Sequence, residues 1–496
     1  MCRRLASVLL VASVLVGCSG GGGGRITLAT APTTTGAVAS TTDPIAPGGA
    51  AGASPVPGAA DVGDPVTPGA GNGGYDVQTY DLRFDLADDR SSFDGVTTID
   101  AVATSGLASF NLDLSGFDIS SVTVDDRPAD IDRAADEVTV TPSAPIEAGA
   151  SFTTVVTYSG SPSPVPDPSA PGTIGWLRAN SGTYVASEPV GAKGFFPSND
   201  HPSDKARFTI TVEAAASDTV VANGIAALAT PAGEGRTSHT FTQTVPMATY
   251  LVQIAVGDYD VIESTGPHGL PLRHAVARHV PPTDRAVLDQ TAGQIEYFES
   301  LFGTFPLDTY GILVADAAPD FALETQTLTL LPAQWLAEGG DSASSVLAHE
   351  LAHQWFGDAV TPSRWSDIWL NEGFATYAEW LWSDHTGAAS LASQVDDAVR
   401  SSPGWRDGFG PITQPTPAGL FSPNQYGGAA LVLHALRLTI GDDAFFATLR
   451  AWVTDHDGGS ATTADFEALA AATSGRDLGS FFDAWLRSTT VPELPA

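Results

Sequence analysis

The chain has 496 residues, of which 43% are hydrophobic and 16% are charged, so it holds enough apolar material for folded cores. Its 57 acidic and 22 basic residues give a net charge of −35, and Lys193 and Lys205 are its only lysines. Because phosphate groups are bound by dense lysine and arginine, this composition excludes a nucleic-acid-binding protein and a polybasic membrane surface. Cys2 and Cys18 are the only cysteines, so the folded part can have no disulfide framework.

The first eighteen residues have the composition of a targeting segment. Arg3 and Arg4 precede an apolar run that is too short to span a bilayer and ends in Leu15-Val16-Gly17-Cys18. This arrangement resembles a bacterial lipoprotein signal, which implies that residues 1–17 are removed and that the Cys18 thiol carries a lipid. An ordinary secretory signal is the alternative. We therefore expect a protein outside the cytoplasm, anchored by its lipid to the bacterial cell membrane.

Two changes of composition divide the rest of the chain. Residues 18–74 are rich in Gly, Ala, Pro, Thr and Ser and bury too little surface to offset their ordering entropy, so we predict a flexible tether. In residues 75–263, short runs of alternating apolar residues are separated by turn residues, which predicts an all-β domain. The predicted strands are Tyr80–Leu86, Thr97–Thr104, Val122–Val124, Val138–Val140, Phe208–Val212, Ser238–Thr244 and Thr249–Val256.

Residues 264–496 have mainly helical spacing of apolar residues, which predicts a second, mainly α domain. The predicted helices are Ala286–Leu301, Ser342–Phe356, Ile368–Ser383, Tyr426–Leu438, Ala444–Val453, Ala464–Ala472 and Leu478–Leu486. Two strands are predicted in the same region, at Tyr310–Val314 and Leu323–Leu331.

A metal-binding pattern lies on one of these helices. His349 and His353 are four residues apart, so on a helix both imidazoles lie on one face and can bind one ion. Zinc prefers nitrogen and oxygen ligands, and Glu350 is placed as a general base beside a zinc-bound water. A surface helix with solvated histidines is the alternative, but the apolar residues around them indicate a buried helix. Glu372 on the next predicted helix follows His353 after eighteen residues and supplies a third ligand.

At this point the sequence resembles a known family, the gluzincin aminopeptidases of peptidase family M1. The similarity lies in His349-Glu-Leu-Ala-His-Gln-Trp-Phe-Gly-Asp358 and in Trp369-Leu-Asn-Glu-Gly-Phe-Ala-Thr-Tyr377, and it extends over roughly residues 75–496. It implies a β-rich N-terminal domain followed by a thermolysin-like zinc metallopeptidase domain. Since 124 residues follow Glu372, we expect no room for the large helical C-terminal domain of longer relatives.

The resemblance also implies substrate-binding residues. The family's signature Gly-Ala-Met-Glu-Asn matches Phe321-Ala-Leu-Glu-Thr325, in which Ala322 and Glu324 are kept. In the family this strand pairs with the substrate backbone and its glutamate binds the free α-amine, so we expect these roles for Ala322 and Glu324. The bulk of Phe321 is expected to crowd the peptide. Glu188 matches a position from which a Gln or Glu reaches the same amine.

Together these residues imply a zinc-dependent aminopeptidase that hydrolyses N-terminal residues from peptides with a free amine. One zinc ion per chain is held by His349, His353 and Glu372, and Glu350 is the general base. Tyr426, in Asn424-Gln-Tyr-Gly-Gly428, matches the family's catalytic tyrosine, whose hydroxyl stabilises the oxyanion. A monomer is expected. A zinc endopeptidase of the same clan, a non-catalytic surface-binding lipoprotein and an epoxide hydrolase side activity remain as alternatives.

Overall fold

The alternation of apolar residues builds a large twisted sheet in the N-terminal half. In the strand Tyr75–Leu86, the buried side chains point to one face, and a register shift between Val77 and Thr79 keeps them there. This strand pairs in parallel with Ala206–Ala215 and antiparallel with Phe93–Ala103. The computed structural model describes residues 54–162, 164–170, 172–316 and 321–495. Cys18 and the predicted signal peptide lie outside these ranges.

Three sheets make up the β-rich domain, which confirms the predicted class of this half. The large sheet runs, in spatial order, through Ile225–Ala226, Arg236–Met247, Ala206–Ala215, Tyr75–Leu86, Phe93–Ala103, Ser151–Gly160, Asp118–Val124 and Arg127–Pro128, with Thr230–Pro231 on Arg236–Met247. A second sheet has the order Val56–Pro57, Leu107–Asp113, Glu137–Thr141 and Asp130–Ala134. The third has the order Val165–Pro166, Thr173–Ala179, Gly182–Ala186, Ile254–Gly257 and Thr219–Ala222.

The predicted tether ends earlier than expected. Residues from Pro55 onward belong to the compact folded unit, and Val56–Pro57 pairs in parallel with Leu107–Asp113. Residues 61–72, which we call the strap, lie against the β-rich domain. Asn72 and Asn199 bond reciprocally, the Asn72 amide to Asn199 Oδ1 at 2.6 Å and Asn199 Nδ2 to the Asn72 carbonyl at 3.1 Å. The prediction of a flexible segment is therefore wrong for residues 55–74, because polar side chains of the domain bind its backbone.

The second domain contains a mixed sheet covered by helices. The sheet has the order Tyr259–Thr265, Pro271–Ala277, Ile312–Ala315 and Thr329–Pro332, and a short parallel pair joins Thr361–Pro362 to Ser460–Ala461. Because Tyr259–Thr265 pairs only within the second domain's sheet, the boundary between the domains lies before Tyr259 and not at residue 263. The predicted strand Leu323–Leu331 is wrong in its first half, where Leu323 makes one isolated bridge to Leu330 and a turn follows.

The helices of this domain are α1 Thr291–Phe302, α2 Ala333–Glu338, α3 Gly340–His353, α4 Trp369–Thr386, α5 Leu391–Phe409, α6 Ala429–Ile440, α7 Asp442–His456, α8 Thr463–Ser474 and α9 Gly479–Phe482. Short 3-10 or π turns precede α1, α4 and α6 and follow α9. Helices α2 and α5 have no counterpart among the predicted helices. In the part of the chain that the structure describes, no helix combines the length and the apolarity needed to cross a membrane.

The two domains are joined by buried apolar side chains and by hydrogen bonds. Trp365, Ile368 and Leu420 from the second domain are fully buried in the core of the β-rich domain. In the opposite direction, the Lys205 ammonium donates to the carbonyl oxygens of Asp358 at 2.7 Å, Ala359 at 3.0 Å and Gly459 at 3.3 Å. The loop that follows α3 is thereby fixed to the β-rich domain.

Candidate metal centre and active site

Helices α3 and α4 pack together and carry the predicted ligands. The buried side chains of Leu347, Ala348 and Leu351 hold α3 in the core, which leaves the histidines to face α4. After α3 the chain turns at Gly357, where φ is +130° and an added Cβ would lie 3.1 Å from the Asn371 side chain. Glycine therefore allows the loop to pass close beneath the start of α4.

The structure brings His349, His353 and Glu372 together. Glu372 Oε2 lies 3.2 Å from His349 Nε2 and 3.5 Å from His353 Nε2, and all three donor atoms lie within 4.8 Å of one another. Bonds of about 2.0–2.1 Å in a tetrahedron place neighbouring ligand atoms roughly 3.3 Å apart, so these distances fit one zinc ion. Among the residues that the structure describes, no other group of three such side chains is close enough to hold a metal.

The second nitrogen of each imidazole has an acceptor, which fixes the tautomer that zinc requires. His353 Nδ1 donates to the Phe356 carbonyl at 3.1 Å, and His349 Nδ1 lies 3.4 Å from a carboxylate oxygen of Glu379. Both Nε2 atoms are therefore left to face Glu372. Sequence reasoning missed Glu379, although it follows Glu372 by seven residues, two turns along the same face of α4.

The charges at this centre suit a dication. Although burial opposes it, hydrogen bonds with His349 and His353 lower the pKa of Glu372 to about 2, so this ligand is a carboxylate. Burial raises the pKa of Glu350 to about 8 in the metal-free chain. Four buried carboxyl groups, those of Glu188, Glu324, Glu350 and Glu372, interact electrostatically here. A bound cation would offset this repulsion.

Glu188 and Glu324 reach the same site from different domains. Glu188 follows the strand Gly182–Ala186, and Gln253 holds the end of that strand through the Val185 amide at 3.1 Å and carbonyl at 2.9 Å. Glu324 is 3% and Glu188 9% exposed, and each has one carboxylate oxygen without a hydrogen-bond partner. Burial, followed by the charge of Glu324, raises the pKa of Glu188 well above its usual range. A cation beside the two carboxylates would relieve their repulsion.

Glu324 is held by the metal helix and not by a strand. Gln354, the residue after the second histidine, donates through Nε2 to the Glu324 carbonyl at 2.9 Å and accepts from the Thr327 amide at 2.8 Å. Thr327 has a φ of +65°, so the chain turns back there before the strand Thr329–Pro332. Phe321 and Ala322 precede this turn and are partly buried against the domain core.

Tyr426 lies over the first histidine. Its ring is nearly parallel to that of His349, with the ring centroids 5.9 Å apart, and burial together with the charge of Glu372 raises its pKa well above the usual range. It sits in a π turn, Asn424–Gly428, in which an added Cβ at Gly427 would lie 2.9 Å from Trp405 of α5. Tyr426 is therefore a neutral hydroxyl donor beside the metal ligands.

Comparisons with known proteins agree with this arrangement. Residues 286–485 match the peptidase family M1 domain, and residues 77–251 match the peptidase M1 N-terminal domain. The crystal structure of an M1 zinc metallopeptidase from Deinococcus radiodurans is 32% identical, with a TM-score of 0.80 over 88% of this chain and 99% of that one. A substituted form of that protein, bound to a Tyr-Ser-Ala substrate, aligns over the same shares of the two chains.

Curated relatives are similar over a shorter part of their length. The glutamyl aminopeptidase of Sus scrofa is 32% identical over 337 residues, which is 62% of this chain and 34% of that protein. The probable M1 family aminopeptidase 2 of Encephalitozoon cuniculi is 27% identical over 354 residues, 65% of this chain and 40% of that protein. The chain thus spans roughly 34% to 40% of the length of these relatives.

Proposed function

Because this chain belongs to peptidase family M1, we propose that it is a zinc-dependent aminopeptidase that removes N-terminal residues from peptides. The observation that carries the proposal is the pair of buried carboxylates, Glu188 and Glu324, beside the three metal donors. A peptide amine has a pKa of about 8, so it is largely cationic near neutrality and matches this pair. The pair fixes the amine one residue away from the scissile carbonyl.

The chain's own residues supply the remaining chemistry. Zinc, when bound by the three donors, acts as a Lewis acid toward water and the scissile carbonyl. Glu350 accepts the proton of the attacking water and passes it to the leaving amine. The hydroxyl of Tyr426 donates a hydrogen bond to the carbonyl oxygen as negative charge develops on it. With the amine held by Glu188 and Glu324, no channel is left for a chain upstream of the first residue.

Matched peptides with free and acetylated N-termini test this proposal. Acetylation removes the cation, and Glu324→Gln or Glu188→Gln removes one charged acceptor, which is worth about 1.5–3 kcal/mol. We expect each substitution to lower kcat/KM on the free peptide by about tenfold to a hundredfold, with little further effect on the blocked peptide. Glu296→Gln, on an exposed face of α1, is the control and should match the wild type. Chelation of zinc should abolish all cleavage.

The products of the blocked peptide distinguish the competing function. Internal cuts in the acetylated peptide, at a rate close to that on the free peptide, would replace the aminopeptidase with a zinc endopeptidase. Zinc binding without cleavage of either peptide would favour a binding protein.

We also propose that the protein works outside the cytoplasm on a lipid anchor. The proposal rests on the short apolar run and the Leu15-Val16-Gly17-Cys18 sequence at its end. Mass spectrometry of the N-terminal peptide should find an acylated Cys18, and Cys18→Ser should release the protein from the membrane fraction. An unmodified Cys18 in the membrane fraction would contradict the anchor and leave the peptidase proposal unaffected.

A further inference from the structure

We propose that Asp64, on the strap, is a positioning residue for the zinc ligand Glu372. The proposal rests on the zinc site proposed above and adds a contact between the first described part of the chain and the start of the ligand helix α4. Asp64 is 5% exposed. Its Oδ2 accepts a hydrogen bond from the backbone amide of Trp365 at 2.7 Å, across 301 residues of sequence.

Asp64 is held firmly on its own side of this contact. Its Oδ1 accepts from the Val66 amide at 2.8 Å, and its Oδ2 lies 3.2 Å from His201 Nε2. The Ser203 amide donates to His201 Nδ1, so Nε2 carries the hydrogen and donates to Asp64. The strap passes close over this histidine, because an added Cβ at Gly71 would lie 2.5 Å from the His201 Cβ. The carboxylate is therefore fixed before it meets the second domain.

Trp365 transmits this position to α4. Its amide is the first of the 3-10 turn Trp365–Asp367, which leads directly into α4, and this turn has no side-chain cap of its own. Asp64 therefore supplies the acceptor that the start of the turn lacks. Without Asp64, the amide would be a buried donor with no partner, and the start of the turn would shift toward water.

A second contact continues from Trp365 to the ligand. The Trp365 ring packs on Tyr250 of the β-rich domain, with the centroids 5.0 Å apart. The Tyr250 hydroxyl accepts from Asn371 Nδ2 at 3.3 Å, and Asn371 precedes Glu372 in the first turn of α4. The β-rich domain thus holds the start of α4 at two points, the Trp365 amide and the Asn371 side chain.

Metal ligands tolerate little displacement, since a site needs its donors within about 0.5 Å of the productive geometry. Groups that orient a ligand through one hydrogen bond change metal affinity by about 10-fold to 100-fold when they are removed. Asp64 does not touch a zinc ligand itself and acts on Glu372 only through Trp365, so its effect should be smaller than that of a direct partner. We therefore expect Asp64→Ala to weaken zinc binding by about tenfold, the lower end of that range.

The experiment measures zinc affinity and coordination, and does not depend on turnover. The purified protein is titrated with zinc against a competing chelator, at a temperature well below unfolding, and the visible spectrum of the cobalt-substituted protein reports ligand geometry. Asp64→Ala should weaken zinc binding about tenfold and alter the cobalt spectrum. Asp64→Asn should be intermediate, because an amide keeps only one acceptor oxygen. Tyr250→Phe, which keeps the ring but removes the acceptor of Asn371, should show a smaller loss of the same kind.

Two controls separate positioning from general loss of stability. Asp61→Ala changes an exposed strap residue that bonds only within the strap, to the amides of Gly63 and Gly69. Ser390→Ala removes the N-cap of α5 and destabilises the fold away from the metal. Both should bind zinc as the wild type does.

The outcomes that overturn the inference differ from those that overturn the zinc site. Wild-type affinity and an unchanged cobalt spectrum in Asp64→Ala and Tyr250→Phe would refute the role of the strap alone. Equal losses in Ser390→Ala and Asp64→Ala would also refute it. Should Asp64→Ala fail to fold, the comparison of Asp64→Asn and Tyr250→Phe with the controls decides. A wild-type protein that binds no zinc would refute both proposals.

Discussion

Glu379 offers the most direct test of how the metal centre is built. Its carboxylate lies 3.4 Å from His349 Nδ1 and also accepts from the Ser345 hydroxyl at 2.9 Å. The substitution Glu379→Gln keeps the size of the side chain but removes the charge. The amide can also present its NH2 group to Nδ1, which would favour the tautomer that places hydrogen on Nε2. With hydrogen on it, Nε2, the nitrogen that faces the metal site, cannot bind zinc.

The size of the effect follows from the exposure of this contact. Substitutions of such outer partners cost about 10-fold to 100-fold in metal affinity. The Glu379 side chain is 29% exposed and its distance to His349 is long for a charged hydrogen bond, so solvent weakens the interaction. We expect the lower end of the range, a loss of about tenfold, which corresponds to about 1.4 kcal/mol.

Competition between the protein and a chelator for zinc measures this loss. Asp384→Asn is the matched control, because it makes the same change of charge on α4 and its carboxylate bonds only to the Leu391 amide. The control should bind zinc like the wild type. If Glu379→Gln and Asp384→Asn bound zinc equally well, Glu379 would not orient His349 and the reasoning would fail.

Three further outcomes are expected. Tyr426→Phe, measured at saturating zinc, should lower kcat by about 100-fold to 1000-fold, and a wild-type kcat would exclude the hydroxyl from the reaction. Lys205→Met should lower the free energy of urea unfolding by about 2–4 kcal/mol, because three carbonyl oxygens each lose one of their two hydrogen-bond donors. The exposed Arg207→Met should change this free energy by less than about 0.5 kcal/mol. Zinc affinity should rise with pH through the neutral range: although burial opposes protonation, nearby carboxylates raise the pKa of His349 and His353, and a flat titration would contradict this.

The metal ligands could be predicted from sequence because their geometry is local. His349 and His353 share a face of any helix that contains them, and Glu372 lies on the next helix along the chain. Glu324 could be found by its similarity to a family motif, but its conformation could not. Glu324 lies at a turn that the Gln354 side chain stabilises, by bonding the Glu324 carbonyl and the Thr327 amide in place of a neighbouring strand. Residues 321–331 alone give no sign of this partner.

Two other elements were hidden for physical reasons. Helix α5 buries Val395, Ala398, Ser402 and Arg406, which have helical spacing, but its interior contains Pro403 and is otherwise largely polar. The strap has the Gly-rich and Pro-rich composition of a linker, and its order depends on partners far away in sequence. Composition reports only the apolar surface that a segment brings itself, whereas the strap is held by residues of the folded domains such as Asn199 and His201.

The early start of the folded unit decides where the chain can be shortened. A recombinant protein that starts at Tyr75, at the first long strand, would lose the strap and the strand Val56–Pro57. The strand Leu107–Asp113 would then become an open sheet edge, and such edges pair with other molecules and cause aggregation. A shortened protein for expression should therefore begin at or before residue 54. Removal of the residues that follow would lower the yield of soluble protein.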